Sequence, residues 1–380
     1  MSAAPTTDVA VVGGGLIGLS IALAVARGGQ RVTVFEGEGV GRHASSASAG
    51  GVRSLNRHPA EIALVRAALP LWAGLAQDLG QGVGFFASGQ LRVAEDDAAL
   101  AALEKRAALT RDLGFTHEVM LDRAALFARE PGVARHCLGA LLVADDGFAD
   151  PLATLRAYRA AAQRAGVTIC QNRPVRGLAR DGGGITVQTD TGGVRANAVV
   201  NAAGAWGGQI AAQLGEPVPV EPRGLQMSVT APLPSFVNGV IGSEGRKLSL
   251  KQMANGTVVI GGAYQGNVDA SARMARPLQR RVAANLATAA HLFPALAPAR
   301  IIRSWAGIEG WSQDALPVIG PSKTMPGVIH AFGFSGHGFA LVPLIGPLVA
   351  QMLMGKNPTV SLTQFDISRF SNREEDVNYA

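Results

Sequence analysis

A chain of 380 residues is too long for one small domain and long enough for two closely packed ones; with 48% hydrophobic and 16% charged residues it fits an α/β enzyme with a large core. The formal net charge of +6 is spread mainly as single arginines, and no Lys/Arg run has the density of a nucleic-acid patch, so nucleic acid is excluded as a partner and small anions are not. Cys137 and Cys170 match no metal spacing and no redox pair, which leaves no metal site in view and points to two buried thiols in a cytoplasmic protein.

Met1–Thr7 has no basic region and runs straight into apolar sequence, so no signal peptide is expected. Val9–Val12 reads as a buried parallel strand. Gly13, Gly15 and Gly18 follow as G-x-G-x-x-G. Gly13 permits the tight turn, Gly15 lets a pyrophosphate approach the backbone, and Gly18 lets the next helix pack close to the strand. That helix is predicted from about Leu16 to Arg27, with the amides of Leu16 and Ile17 facing the phosphates. Arg31–Phe35 is the second strand and ends in Glu36, placed to accept hydrogen bonds from an adenosine ribose. Strand, turn, helix, strand and acid stand in the order that dinucleotide binding requires.

Gly37–Gly51 is a loop of small and polar residues, able to wrap a ligand but not to build a core. Pro59–Leu79 reads as an amphipathic helix with Ile62, Val65, Leu69 and Trp72 on one face. Gly84–Ala94 reads as strands, Ala98–Leu113 and Asp122–Phe127 as helices, and Pro151 starts a helix capped by Asp150. Ile169–Leu178, Ile185–Thr189 and Val194–Asn201 are expected strands. Val199–Trp206 is a buried strand that breaks into small residues. Positions 217–264 are β-rich, with strands expected at Leu225–Thr230, Gly239–Ile241, Lys247–Gln252 and Thr257–Gly261. Pro277–Phe293 is expected to be helical, Arg300–Ile308 and Gly327–Phe332 to be strands. Phe339–Met354 is the longest apolar run; Pro343, Pro347 and Gln351 interrupt it, so a buried helix is expected and no transmembrane span.

Six segments, in this order, carry a resemblance that covers nearly the whole chain. They are Val12–Gly15 with Glu36, Ala44–Gly51, Val199–Trp206, Trp305–Ile308, Asp314–Pro321 and Phe332–Phe339. The chain resembles the amine-oxidising flavoproteins of the D-amino acid oxidase superfamily, nearest to sarcosine oxidase, glycine oxidase and the hydroxyproline or opine dehydrogenases. The resemblance implies FAD, and an α/β fold in which a Rossmann-like FAD-binding domain (1–83, 142–216, 300–380) is interleaved with a β-rich substrate domain (84–141, 217–299). For the cofactor it implies Ser45, Ser46, Ala49, Gly50 and Gly51 around the pyrophosphate and flavin, and the backbone of Val175 against adenine. Ala203 and Gly204 leave the cofactor room, with Trp206 beside them and Gly307 on the later strand. The turn of Gly333, Gly336, His337, Gly338 and Phe339 brings helix amides to N1 and O2 of the flavin. Arg42 is placed for the diphosphate or lies on the surface; His337 hydrogen-bonds the flavin or holds the turn.

The implied reaction is oxidation of a C–N bond by hydride transfer from Cα to flavin N5, giving an imine. The expected substrate is a secondary-amine amino acid: D-proline, hydroxy-D-proline, an N-methyl amino acid or an opine. Oxidation of glycine or primary D-amino acids is the alternative, as is a flavin subunit of a heteromeric amine dehydrogenase. A homo-oligomer or a partner electron-transfer subunit stays open. Two departures bear on the substrate. Glu309 stands where many relatives have an arginine that clamps the substrate carboxylate. Arg53 is then the first choice for the clamp, with Lys251 and Arg223 behind it, while Glu309 faces a substrate ammonium or guanidinium, or pairs with Arg303. Ala340 stands where sarcosine oxidases have a lysine. Trp305–Asp314 contains no cysteine and His43 is offset from the histidyl position, so non-covalent FAD is expected. Lys251 or Lys247 is a candidate to lie over the flavin ring.

Overall fold

The computed structural model describes residues 5–371; the expectation for Met1–Thr7 falls partly outside them, as do positions 372–380 of the last expected range. The first strand, Thr6–Val12, buries Val9, Ala10, Val11 and Val12 because it is covered on both faces. It pairs in parallel with Val32–Phe35 on one side and Gly192–Asn201 on the other. The sheet runs Val318–Pro321, Val328–Phe332, Gly192–Asn201, Thr6–Val12, Val32–Phe35, Thr168–Cys170, and an antiparallel meander of Val175–Asp181 and Gly184–Thr189 extends from Gly192–Asn201.

Four helices share one core with this sheet: Leu16–Arg27, Pro59–Leu79, Pro151–Arg164 and Gly338–Leu353. The first and last approach closely because Gly346 has no side chain; a Cβ there would stand 2.4 Å from the Ser20 carbonyl oxygen. Ser20 Oγ donates to the Val342 carbonyl at 2.6 Å, and Trp72 Nε1 donates to that of Ala340 at 2.9 Å. Ala340 is therefore a core residue. Pro59–Leu79 is long and apolar enough to cross a membrane by length and composition, yet its Ile62, Val65, Leu69 and Trp72 are buried in this core.

A second sheet of eight strands runs Ile301–Ser312, Val220–Thr230, Val258–Gly261, Ser249–Gln252, Val240–Ser243, Gln90–Ala94, Gly139–Val143, Val119–Leu121. All its pairings are antiparallel except that of Val240–Ser243 with Gln90–Ala94. Helix Gln279–Leu292 packs on it around Phe293 and Leu292.

The backbone departs from the expected ranges in several places. The boundary between 141 and 142 cuts the strand Gly139–Val143, whose residues pair with Gln90–Ala94 in the second sheet. Ile301–Ser312, expected in the cofactor domain, is hydrogen-bonded along its length to Val220–Thr230 and belongs to the second sheet too. Its small residues touch the cofactor-domain loop, which is why its sequence reads as part of that domain. Gly84–Ala94 holds one strand, Gln90–Ala94, with Phe86 making an isolated bridge to Phe148. The loop Gly37–Gly51 contains a helix, Ala44–Ala47. Of the cysteines, Cys137 is buried and Cys170 half-buried, and both are free.

Candidate active site

The site is a trough that starts at the end of the first strand and closes in a charged cavity. At its outer end lie Val12, Gly13, Phe35, Glu36, Val175 and Trp206. Glu36 is held by backbone amides: Oε2 accepts from Gly14 at 2.7 Å and Oε1 from Glu38 at 2.8 Å. Each oxygen keeps a lone pair for a ribose hydroxyl. Arg42 reaches Glu38 at 2.5 Å and lies along this end. Trp206 is sandwiched between His43, with ring centroids 4.6 Å apart, and the guanidinium of Arg273 at 4.7 Å. Arg273 comes from a small ribbon, Asn267–Asp269 and Met274–Arg276, and had no signal in the sequence because its partner is distant in the chain.

In the middle of the trough, Gly15, Leu16, Ile17 and Ser45 line the wall, with Ala203 toward its outer part. Ser45 Oγ accepts from the Leu16 amide at 2.9 Å; no side chain of the N-cap residue Gly15 covers the remaining first-turn amides of helix Leu16–Arg27. Gly204 has φ +56 and no atom within 4 Å of where a Cβ would be, so a side chain would stand in the open trough. The acidic end, the first-turn amides beyond Leu16 and the glycine-cleared wall fit an FAD, its adenosine at Glu36 and its diphosphate at the start of helix Leu16–Arg27 beside Ile17. Gly336, Gly338 and Phe339 line the far end, where helix Gly338–Leu353 begins.

Several expected cofactor residues act by packing behind this wall. A Cβ on Gly18 would meet the Gly13 carbonyl oxygen at 2.0 Å, and one on Gly307 would meet Ala47 Cβ at 2.1 Å. Trp305 Nε1 donates to the Ala47 carbonyl at 3.0 Å, fixing the same helix–strand contact. Gly50 has φ +72 and lies against the Ala149 carbonyl, Gly333 has φ +68, and Ser46 Oγ donates to the Arg42 carbonyl at 3.2 Å.

Beyond Gly336 the trough opens into a cavity of about 420 Å³ lined by Ala49, Gly51, Arg53, Arg57, Glu309, Trp311 and His337 among others. Arg57 is 2% exposed; its Nε donates to the Arg53 carbonyl at 3.0 Å, while its Nη1 is buried with no hydrogen-bond partner. Burial and the adjacent Arg53 push its guanidinium down to about 9, which leaves it charged at neutral pH. Arg53 donates to the Leu55 carbonyl at 2.8 Å. Glu61, from helix Pro59–Leu79, lies behind Arg57 and meets His337 Nδ1 at 2.7 Å. Burial, with the nearby Arg57, pushes His337 down to about 4, so it is neutral at pH 7, and through Glu61 it ties the turn to helix Pro59–Leu79.

Glu309 sits at the neck, shared by the trough end and the cavity. Its Oε2 is buried without a hydrogen bond, and burial pushes its carboxyl up to about 7 despite the Gly336 amide beside it. The expected ion pair with Arg303 does not form: the Arg303 guanidinium lies over Trp305, at 6.0 Å. Arg223 pairs with Glu221 at 2.7 Å and stacks on Trp311 from outside the cavity. Lys251 is bonded to the Ala49 carbonyl and lies 4.2 Å from the Phe148 ring centre, behind the loop rather than in the cavity; Lys247 is an exposed lining residue.

Sequence reasoning named Arg53 and missed Arg57, four residues on, as well as what holds them. The turn between them carries Asn56 at φ +54. Asp146 Oδ1 accepts from the Ser54 amide and hydroxyl at 2.7 and 2.9 Å, and Oδ2 accepts from the Leu55 amide at 2.8 Å. Glu118 accepts from the Asn56 amide at 2.6 Å. Removing Asp146 leaves buried amides unpaired, at a cost of about 1–3 kcal/mol each. Asp146→Ala is expected to raise KM at least tenfold with a much smaller change in kcat, and Asp146→Asn to recover only part of it, because its Oδ1 can accept from Ser54 while its NH2 cannot accept from the Leu55 amide; steady-state kinetics on both variants checks this. Away from the site, Glu95 gathers His136, His291 and Arg246 at 3.0–3.2 Å on the second sheet.

A dinucleotide unit, an interleaved second sheet and a charged cavity at the trough's end define a two-domain flavoenzyme. The chain belongs to the DAO family, FAD dependent oxidoreductase, whose family model matches residues 8–352. It is 31% identical over 378 residues to the glycine oxidase of Geobacillus kaustophilus (strain HTA426), covering 95% of this chain and 97% of the relative. The crystal structure of glycine oxidase from Geobacillus kaustophilus superposes with a TM-score of 0.89 at 27% identity, covering 96% of this chain and 99% of that one. The sarcosine oxidase subunit beta of Rhizobium meliloti (strain 1021) is 29% identical, with 96% and 89% covered. The L-proline dehydrogenase from P. horikoshii matches with a TM-score of 0.88 at 25% identity, with 97% and 99% covered. The protein is an FAD-dependent oxidoreductase that acts on amine donors.

Proposed function

We propose that the protein oxidises the C–N bond of a secondary-amine amino acid to the imine, holding the substrate carboxylate on Arg53 and Arg57. The observation that carries this reading is the unpaired, buried Nη1 of Arg57 on the cavity wall. A buried cationic donor without a partner is costly unless a ligand supplies the anion. A carboxylate accepts the planar donors of a guanidinium well. FAD supplies the hydride acceptor when bound. The protein's part is orientation: Arg53 and Arg57 fix one end of the acid and the neck at Gly336 and Glu309 presents its Cα side to the trough. The names of two relatives support a secondary amine, since sarcosine and proline are both of that class.

The glycine oxidase relative favours a second reading, oxidation of glycine or primary D-amino acids. Anaerobic mixing of the flavin-loaded protein with D-proline, hydroxy-D-proline, sarcosine, an opine, glycine and D-alanine separates the two. Bleaching of the oxidised-flavin band by the first four and not by the last two is the expected outcome. Bleaching by glycine or D-alanine alone would establish the second reading, and no bleaching by any would sink both. The name of the sarcosine oxidase relative is that of a subunit, so a partner chain is a further possibility that sedimentation of the native protein reads directly.

A further inference from the structure

At the cavity neck stands an acid, Glu309, whose Oε2 has no hydrogen-bond partner. Arg53 and Arg57 face the cavity from the turn after the cofactor loop, and Glu61 and His337 stand behind them. Glu61 Oε2 is engaged by His337, whose ring burial keeps neutral; its Oε1 is buried and unpaired too, but Glu61 lines neither the cavity nor the trough end. Arg223, opposite Glu309 in the sheet register, is turned to Glu221 and Trp311. Lys251 is held by the Ala49 carbonyl behind the loop. Among the described residues facing the neck, Glu309 is left with a buried carboxylate oxygen that no group satisfies. A Cβ at Gly336 would lie 3.4 Å from that oxygen, so the carboxylate is set beside the turn that borders the cofactor trough.

We propose that Glu309 binds the substrate ammonium and takes the proton that the amine must lose before oxidation. The idea rests on the amino-acid reading above. A protonated amine has no lone pair to assist hydride departure from the adjacent carbon. The step is a proton transfer: the N–H bond of the ammonium breaks, its electron pair stays on nitrogen, and Glu309 becomes a neutral carboxylic acid. No oxidant is needed for this step. The carboxyl's elevated position near 7 suits the role, because a general base works best when poised near the working pH. The sign follows. Below about pH 7 Glu309 is protonated and can neither hold the ammonium nor accept its proton, so reduction of the enzyme slows as pH falls through that region.

The test uses flavin-loaded wild type and Glu309→Gln with D-proline and tetrahydrofuran-2-carboxylate, which keeps the ring and carboxylate and lacks the amine. Binding is read from perturbation of the flavin spectrum and reduction from anaerobic stopped flow across pH 5.5–10. In the variant, D-proline is expected to bind at least tenfold more weakly and the ether acid within twofold of wild type. The acid limb of the reduction rate is expected to move up by two pH units or more, toward the amine's own ionisation, with about a hundredfold slower reduction at pH 7. Equal loss for both ligands would make Glu309 merely structural, and an unmoved limb would remove it as the proton acceptor. Anaerobic calorimetry at pH 8 on wild type whose flavin has first been reduced, so that D-proline binds without reacting, in buffers of different ionisation enthalpy needs no variant. No net proton release on D-proline binding is expected, because the proton stays in the complex; release of one proton per site would overturn the proposal. If no secondary-amine acid bleaches wild type, the amino-acid oxidase reading fails by itself, while the paired binding measurement still decides whether Glu309 recognises an ammonium.

Discussion

Gly13→Ala and Gly18→Ala are expected to purify without flavin. Gly13 has φ +110, a conformation that L side chains rarely adopt, and its missing Cβ would lie 2.4 Å from the Ala202 carbonyl oxygen. At Gly18 the clash is 2.0 Å, against the carbonyl of Gly13 itself. Both obstacles are backbone atoms one residue past the ends of central strands Thr6–Val12 and Gly192–Asn201, so relief requires the strand end, the turn or the helix to move. Any of those movements displaces the start of helix Leu16–Arg27, with the Ile17 amide and the Ser45 contact to Leu16, from the place expected for the diphosphate. The loss compounds, because bound FAD also stabilises the folded chain; a ligand at a hundred times its Kd contributes about 2.7 kcal/mol. The flavin-to-protein absorbance ratio and the Tm with and without added FAD check this. Wild type should be yellow and gain Tm with FAD, and the variants should be colourless and gain nothing. A variant that retains stoichiometric flavin would show that the turn is not the cradle.

Arg57→Met is expected to weaken substrate binding by a hundredfold or more and to leave the protein at least as stable. The binding loss follows from deleting a desolvated charged donor that meets a carboxylate, worth about 2–5 kcal/mol. The stability forecast has the opposite sign because the guanidinium is buried with Nη1 unpaired before substrate arrives. Methionine keeps much of the volume and removes that strain, as for other sites that hold function at the expense of stability. Arg57→Lys keeps charge but not the planar fork and should fall between. Titration of the flavin spectrum gives Kd and calorimetry gives Tm. An unchanged Kd would take Arg57 out of the clamp and leave Arg53 alone in it.

The opening unit was legible because its logic is local. Strand, glycine turn, helix and Glu36 lie within one stretch, and each residue's task follows from its neighbours. The cofactor wall was legible in the same measure, since Ala203, Gly204, Gly336 and Gly338 stand out as small residues at strand and helix ends. The substrate cavity was not. Its cations are aimed by Asp146 and Glu118, acids about 90 and 60 residues away in sequence that no periodicity links to Arg53. Arg57 looks like any arginine ahead of a helix until the Asn56 turn brings it alongside Arg53. Lys251 illustrates the converse: a lysine on a strand of unknown phase could have entered the cavity, and the pairing of Ser249–Gln252 puts it behind the loop instead. The strand Ile301–Ser312 was misplaced for a related reason. Its side chains meet the cofactor domain while its backbone hydrogen bonds serve the other sheet, and sequence pattern reports only the former.

That strand also separates two spaces. Successive side chains of an extended chain leave it on opposite sides. Ile308 and Gly310 border the trough, Trp311 borders the cavity, and Glu309 stands where the two spaces join. From 308 to 311 the even positions border the trough alone, and the odd ones reach the cavity. On the reading proposed above, substitutions at Glu309 and Trp311 are expected to change which amine is accepted, and those at Ile308 and Gly310 to change how the cofactor is held. Substrate choice and flavin retention could then be altered separately by changes one residue apart.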